Sequence, residues 1–573
     1  MAEIRLTING KEVVGEKGDT VLEVCEKNGI YVPTLCHHKC LLDTGACRMC
    51  LAEIEGMRGY NPSCVTKAND GMVVRTDTEE LDRFRRMMLE LLFSQRNHYC
   101  MFCESSGDCE LQNLAYKYKI NYNEYKSAFP RLRMDSTQRY FVYDENRCIL
   151  CQRCNRACSE VAGHNVLGLG KRAIETTIVA DLNSDLGNST CTSCGTCVQV
   201  CPTGALIDRR SAYLGRMYQC ETTKSTCSVC SIGCGVEIVT RDNHILKING
   251  DWGAEVNKGI LCKAGRYLPL HEQKERLTKP MIKRNGAFSE ISWDEALDYA
   301  AKKFREVGME NVAGMISPRA TNEEANLFAG LLSNGKIQEL GPDTVLADGF
   351  ARGRNAKLSD IRDSDCILIY RIDLDKETPV AGSFAKLAFY QHEAKIILAD
   401  DKENSFGRLA MLKLASSEIN QAKESLDQAA NPVIIYGTSA TTQEVEKLAK
   451  LCEKVKLMGL LAGGNSKGLR ALGINGKANV QNAKAFYILA CDDDLAGKFD
   501  RCGADFVVLQ TSYFTTEVEK ADMVLPSPLW SEKEGSITNV DGITQRVAKA
   551  IDAPDGMQSN EATIRILNEK ISR

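Results

Sequence analysis

Twice in this chain four cysteines fall at the spacing C-x2-C-x2-C-x3-C. The first run is Cys148, Cys151, Cys154 and Cys158. The second is Cys191, Cys194, Cys197 and Cys201, followed by Pro202. Three thiolates so close in sequence can wrap three irons of a cubane, and the fourth iron takes a thiolate from farther away. Where two such runs stand in tandem, the fourth Cys of each serves the other cluster. That rule assigns Cys148, Cys151, Cys154 and Cys201 to one [4Fe–4S] cluster. Cys191, Cys194, Cys197 and Cys158 then hold a second. The first run carries Ser159 where the second has Pro202, a minor departure. Zinc prefers paired C-x2-C units that close a tetrahedron, which leaves a zinc-stapled scaffold as the non-enzymatic rival.

Three further groups flank these runs. Cys36, Cys47, Cys50 and Cys64 have the spacing C-x10-C-x2-C-x13-C, whose first gap differs from the plant-type [2Fe–2S] pattern. In NHYCMFCESSGDCELQ, Cys100, Cys103 and Cys109 follow His98. Cys227, Cys230, Cys234 and Cys262 form C-x2-C-x3-C-x27-C, with Lys263-Ala264-Gly265-Arg266 after the last.

Taken together, these groups resemble the large iron–sulfur (G) subunit of respiratory NADH dehydrogenase and the α subunit of NAD-linked formate dehydrogenases. Related subunits occur in electron-bifurcating hydrogenases and transhydrogenases. The resemblance implies a [2Fe–2S] cluster on Cys36, Cys47, Cys50 and Cys64. It implies a [4Fe–4S] cluster on Cys100, Cys103 and Cys109 with one His ligand. In the family that His stands four residues before the first Cys. Here Arg96 holds that place and His98 stands two before, so the fourth ligand is His98 in a shifted loop or another group. The set Cys227, Cys230, Cys234 and Cys262 resembles the N-terminal [4Fe–4S] site of molybdopterin oxidoreductases.

The elements that must position these residues are also legible. Residues 4–8 and 11–14 flank Asn9-Gly10, a two-residue hairpin signal. A helix follows, capped by Thr20 with Glu23 as a capping box. It holds Cys25, which reads with Cys40 and Cys220 as a non-ligand. Residues 79–95 carry Leu81, Phe84, Met88, Leu91 and Leu92 at helical spacing, a packing stripe, with Arg83, Arg85 and Arg86 expected on a solvated face. From about residue 285 the segments 313–317, 366–370, 395–400, 432–437, 485–490 and 505–510 read as strands. Helical stretches such as 441–455 alternate with them, which implies a parallel, doubly wound α/β domain. Gly168, Gly170 and Ala173 fit G-x-G-x-x-A, but between two cysteine runs rather than in a βαβ unit, and carry no dinucleotide reading.

Composition bounds the rest. Of 573 residues, 43% are hydrophobic and 26% charged, and the net charge is -4, which gives no electrostatic case for nucleic acid. There are 26 cysteines, of which only Cys366, Cys452, Cys491 and Cys502 lie beyond residue 262. The start lacks the features of a signal peptide, and no apolar run suffices for a membrane helix. A cytoplasmic chain is expected, in which clustered thiols read as metal ligands rather than disulfides.

Downstream, residues 276–304 resemble the entry to a molybdopterin domain, and residues 523–551 resemble its late segment through Glu532, Gly535, Ser536, Asn539 and Gly542. A formate dehydrogenase of this family needs a Cys or selenocysteine ligand to the metal. The corresponding stretch, 337–350, has neither Cys nor His. The nearest thiol, Cys366, opens an apolar run and reads as buried. The chain also ends at Arg573, before the capping domain those enzymes add. A degenerate molybdopterin-type domain without Mo or W is therefore expected.

The expected fold is a set of α+β N-terminal iron–sulfur domains followed by an α/β doubly wound molybdopterin-oxidoreductase-like domain. The parts are a β-grasp [2Fe–2S] ferredoxin domain (1–78), a His/Cys [4Fe–4S] domain (79–140) and a bacterial two-[4Fe–4S] ferredoxin domain (141–212). A molybdopterin-oxidoreductase N-terminal [4Fe–4S] domain (213–272) and the degenerate domain (273–573) complete it. The resemblance implies an electron-transfer subunit with one [2Fe–2S] and four [4Fe–4S] clusters. Its implied partners are a flavoprotein carrying FMN and NAD(H), a small thioredoxin-like [2Fe–2S] subunit and ferredoxin, and bifurcation is an analogy within that family. The alternatives are a catalytic Mo or W formate dehydrogenase α subunit and the G subunit of membrane-bound NADH:quinone oxidoreductase.

Overall fold

The computed structural model describes residues 2–573 apart from 272–273, 333–335, 343, 347–349, 351–352, 477–479, 481 and 502. Cys502 and part of the 337–350 stretch thus lie outside the described residues. The chain divides into two compact units, Met1–Cys220 and Glu221–Arg573. Among the described residues no helix is long and apolar enough to cross a membrane.

The first unit opens with the strands Glu3–Ile8 and Lys11–Glu16. Asn9 (φ 52°) and Gly10 (φ 77°) turn the chain between them, both in the left-handed region that a tight hairpin requires. The five-stranded sheet runs Lys11–Glu16, Glu3–Ile8, Val73–Arg75, Leu51–Ile54, Tyr60–Pro62, and its second and third strands are parallel. Helix Val21–Lys27 starts at the capping box of Thr20 and Glu23. It buries Val21, Leu22, Val24 and Cys25 in the same core as Ile4, Leu6 and Ile8.

Helix Glu79–Gln95 spans the expected residues, but the face it buries is rotated. Leu81, Arg85 and Leu89 are fully covered. The solvated reading of Arg85 is therefore corrected. Its guanidinium donates to the carbonyls of Met49 (3.2 Å), Leu51 (3.1 Å) and Thr76 (2.8 Å). A fork with five donors satisfies three buried carbonyls at once, which offsets its desolvation. The unit continues through helix Glu110–Lys117 and a three-stranded sheet of Leu206–Asp208, Phe141–Asp144 and Met134–Asp135. Gly168 and Gly170 lie in the antiparallel hairpin Leu167–Gly170/Thr177–Ala180, in keeping with no dinucleotide role.

The second unit begins with the antiparallel strands Glu221–Thr226, Gly235–Arg241 and His244–Gly250. A seven-stranded sheet follows, in the order Ala287–Glu290, Met281–Arg284, Met523–Pro526, Phe506–Thr511, Ala485–Cys491, Val312–Ile316, Ile337–Glu339. Its last five strands are parallel. Between Ile337–Glu339 and Ala485–Cys491 the chain builds a separate, wholly parallel sheet: Leu412–Leu414, Lys395–Ala399, Cys366–Tyr370, Pro432–Tyr436, Lys456–Gly459. The strands that read as one alternating series thus form two sheets, one inserted in the other. Each closes its own core: helices Trp293–Val307, Asn322–Leu332 and Asn560–Ser572 pack on the larger sheet, and Leu426, Val445 and Leu448 on the smaller. Cys366 is fully buried in its strand, and burial pushes its thiol up to about 11.

Candidate metal centres

Cys36, Cys47, Cys50 and Cys64 come from the irregular loops that leave the first sheet, and all four are buried. They stand as two pairs. The Cys47 thiol donates to Cys36 and holds it low, at about 5, and Cys64 does the same for Cys50, held at about 7. Two pairs of thiols suit a two-iron cluster, in which four thiolates serve two metals. Backbone N–H groups of Ala46 and Cys47 also favour the Cys36 thiolate.

The chain after Gln95 brings His98 into a pocket lined by Phe93, Cys100, Cys103, Cys109, Arg147 and Gly204. The His98 ring packs edge-on to Phe93, with centroids 5.3 Å apart. Burial pushes its pKa down to about 4 against a hydrogen bond to the Leu92 carbonyl, so the ring is neutral at pH 7. Its Nε2 is buried and has no hydrogen-bond partner. A neutral imidazole fixed at one nitrogen, with the other unpaired beside three cysteines, fits a metal ligand. Arg96, at the position where the family has its His, is also buried and donates to the Thr176 carbonyl (2.7 Å).

The two C-x2-C-x2-C-x3-C runs fold alike. Leu150 (φ 52°) and Gln152 (φ 60°) in the first run match Ser193 (φ 60°) and Gly195 (φ 73°) in the second. These left-handed residues bend the loop around its own sulfur. Leu150 N–H donates to Cys148 Sγ and Ser193 N–H to Cys191 Sγ, each at 3.4 Å. Short helices, Arg153–Arg156 and Thr196–Val200, then carry the third cysteines. The structure brings the fourth cysteine of each run to the other set. Burial and the neighbouring Cys201 push the Cys151 thiol upward, and Cys148 and Cys154 feel Cys201 as well. Burial, Cys194 and Cys191 push Cys158 up to about 12. The Val166 N–H donates to Cys158 Sγ at 3.4 Å.

Cys227, Cys230 and Cys234 lie on the loop joining the first two strands of the second unit, closed by Cys227 N–H to the Cys234 carbonyl (2.8 Å). Cys262 precedes the helix Lys263–Arg266. A Cβ at Gly265 would stand 3.3 Å from Cys227 Sγ. Residues of the 523–551 segment clasp this loop. Asn539 donates to the Ile232 carbonyl (3.2 Å) and Val540 N–H to the Ser231 carbonyl (2.8 Å). Glu532 pairs with Arg276 at 2.5 Å. Arg319, held by Asp492, favours the thiolate of Cys227.

Cys40 and Cys220 stand outside these sets: the Cys40 N–H donates to His38, and the Cys220 thiol donates to the Arg216 carbonyl. Among the described residues no group of three or more His, Cys, Asp or Glu closes on the position of a single ion.

Sequence reasoning missed the residues that join the sites. Arg147, just before the first run, and Arg153 and Arg156 within it are buried. Arg147 pairs with Glu104 and Arg153 with Glu110 (2.6 Å), both beside the Cys100–Cys109 loop. Arg156 reaches the Cys36 carbonyl (2.5 Å). Cys36, Cys47, Cys109 and Cys151 accordingly share one apolar core. The signal was available, since two arginines interrupt the first run, a third immediately precedes it, and none lies in the second.

Comparison with known proteins follows the same divisions. The family model "2Fe-2S iron-sulfur cluster binding domain" matches residues 1–79, and "NADH-ubiquinone oxidoreductase-G iron-sulfur binding region" matches 85–124. "NADH-quinone oxidoreductase subunit 3, ferredoxin-like domain" matches 140–207, and "Molybdopterin oxidoreductase Fe4S4 domain" matches 220–273. "Molybdopterin oxidoreductase" matches 276–569. The second G subunit of NADH-quinone oxidoreductase in Rhizobium meliloti is 32% identical over 69% of this chain and 47% of its own length. The NADPH-Fe(3+) oxidoreductase subunit alpha of Geobacter sulfurreducens is 32% identical over 69% of this chain and 48% of its own. NADH-quinone oxidoreductase subunit 3 of Thermus thermophilus is 27% identical over 98% of this chain and 82% of its own. The chain spans about half the length of the first two relatives. The chain belongs to the molybdopterin oxidoreductase family, and ahead of that domain it carries 2Fe–2S and 4Fe–4S domains of the kind found in NADH-quinone oxidoreductase G subunits.

Proposed function

We propose that this chain is a one-electron relay. It holds one [2Fe–2S] cluster on Cys36, Cys47, Cys50 and Cys64, and a [4Fe–4S] cluster on His98, Cys100, Cys103 and Cys109. The crossed sets, Cys148/Cys151/Cys154/Cys201 and Cys191/Cys194/Cys197/Cys158, hold two more, and Cys227, Cys230, Cys234 and Cys262 hold the last. Bound clusters supply one-electron chemistry. The protein supplies the sulfur ligands, the N–H donors that tune them and an apolar core that excludes water. The observation that carries this reading is the crossing of Cys158 and Cys201, an arrangement that a pair of cubanes needs.

Hydride chemistry needs an organic cofactor to split two electrons into singles. A partner flavoprotein with FMN and NAD(H) fills that role, with a small thioredoxin-like [2Fe–2S] subunit beside it. Ferredoxin or another module takes the other end, with bifurcation an extension of the same scheme. Residues 273–573 act as a scaffold without Mo or W. The relative named as an NADPH-Fe(3+) oxidoreductase subunit favours a nicotinamide-linked complex of this kind, and those named NADH-quinone oxidoreductase keep the quinone-linked alternative.

The test is anaerobic bleaching of the purified chain. Dithionite bleaches it, whereas NADH and NADPH do so only once the flavoprotein isolated with it is restored. Bleaching by NADH or NADPH alone would overturn the relay assignment.

A further inference from the structure

The two sets of the paired cysteine runs share one loop geometry, yet their surroundings differ in charge. Around Cys148, Cys151, Cys154 and Cys201 the structure buries guanidinium groups. Arg147 and Arg153 are matched by Glu104 and Glu110. Arg156 is not matched in that way. Its hydrogen bonds end on the backbone carbonyls of Leu42, Cys36 (2.5 Å) and Cys151 (3.2 Å), the last within the ligand loop itself. Its Nε is buried with no hydrogen-bond partner. Arg96, also buried, ends on the carbonyl of Thr176 (2.7 Å) and favours the thiolate of Cys148. The buried Tyr143 hydroxyl donates to the Cys148 sulfur and also meets the Thr177 hydroxyl.

The second set has a different environment. The run from Cys191 to Cys201 contains no charged residue. Asp181 stands next to it, accepting from the Thr190 N–H (2.7 Å) and hydroxyl (3.0 Å), one residue before Cys191. Its charge opposes the Cys191 thiolate. The side-chain groups at sulfur here are neutral: the Gln138 amide, 3.9 Å from Cys191 Sγ, and the Thr196 hydroxyl, 3.5 Å from Cys194 Sγ.

A reduced cluster carries one more negative charge than an oxidised one. Buried cations and hydrogen bonds to sulfur stabilise the reduced form, and a nearby anion opposes it. We propose that Arg156 and Arg96, with the Tyr143 hydroxyl, hold the Cys148/Cys151/Cys154/Cys201 site at a higher reduction potential than its Asp181-flanked twin, so that electrons within the pair settle on the Cys148 side. With clusters held by both sets, one electron would pass from the reduced Cys191 side to the oxidised Cys148 side. No bond forms or breaks and no proton moves. Arg156 also contacts the Cys36 loop, so the favoured site is the one that adjoins the [2Fe–2S] ligands. The inference rests on the relay reading above.

The test is an anaerobic potentiometric titration of the full, iron-loaded chain, followed by electron paramagnetic resonance, with iron measured on every sample. The wild type is expected to show two unequal potentials for the ferredoxin-type pair. Arg156→Gln, Arg96→Gln and Tyr143→Phe each lower the upper one and leave the lower one in place. Asp181→Asn raises the lower one alone, and Arg156→Lys restores the upper one. Equal potentials in the wild type would overturn the inference. So would arginine variants that keep their iron yet leave the upper potential unmoved, or a shift of the lower one instead. If Arg156→Gln loses iron, Tyr143→Phe and Asp181→Asn decide the matter. A wild-type chain that binds no iron under anaerobic purification would refute the relay itself.

Discussion

A Cβ at Gly204 would stand 2.5 Å from the Sγ of Cys103, closer than any real contact. Gly204 follows the last cysteine of the paired runs, and Cys103 belongs to the His98 group. The backbone that leaves one site therefore forms the wall of the next. Gly204→Ala is expected to displace Cys103 and empty the His98 site. The loss is about 4 Fe per chain, read by iron analysis, with the other clusters' resonance signals kept.

Two histidines beside Cys36 are set in opposite directions. The Asp43 carboxylate, 2.7 Å from His37 Nδ1, raises the His37 pKa, and burial lowers that of His38 to about 4. A group depressed in the folded state binds its proton more readily when unfolded. His38 therefore costs nothing above pH 6.5 and destabilises progressively between pH 6.5 and 4, by about 3 kcal/mol at full protonation. His37 works in the other sense: its contribution is complete below pH 6.5 and fades as pH rises through its raised value. Iron release from the [2Fe–2S] site to a chelator is expected to accelerate as pH falls below 6.5. His38→Gln should flatten that acceleration, and Asp43→Asn should not.

Much of this was legible in the sequence because ligand spacing is local. The runs at 148–158 and 191–201 state their chemistry within a dozen residues, and the Asn9-Gly10 turn and Thr20 cap act over three or four. The strands beyond residue 285 were visible as apolar runs. Their division between two sheets was not, since both sheets use the same buried, β-branched segments. Arg85 was misplaced because a charged residue on a helix gives no sign that three carbonyls from distant loops await it. Gly204 and Tyr143 escaped for the same reason: their partners, Cys103 and Cys148, adjoin them only in three dimensions.

Arg85 offers a direct check of that point. Arg85→Ala leaves the carbonyls of Met49, Leu51 and Thr76 buried and unpaired, at about 1–3 kcal/mol each. A loss of at least about 3 kcal/mol in the urea denaturation of the first unit is expected. Arg85→Lys keeps the charge without the fork and should fall between the two.

The clasp on the Cys227 loop makes a separate prediction for the second unit. Asn539→Ala removes the donor to Ile232 and frees one side of the loop. The cluster on Cys227, Cys230, Cys234 and Cys262 should then be lost severalfold faster on exposure to air, while the clusters of the first unit decay at the wild-type rate. Resonance spectra recorded along the exposure separate the two.

The central claim, five clusters on one chain with no catalytic metal, is tested most directly by elemental analysis of anaerobically purified protein. One [2Fe–2S] and four [4Fe–4S] clusters predict about 18 Fe per chain, with zinc, molybdenum and tungsten all well below one. Stoichiometric molybdenum or tungsten would contradict the scaffold reading of residues 273–573 and make this a catalytic subunit. Zinc in place of iron would contradict the relay altogether.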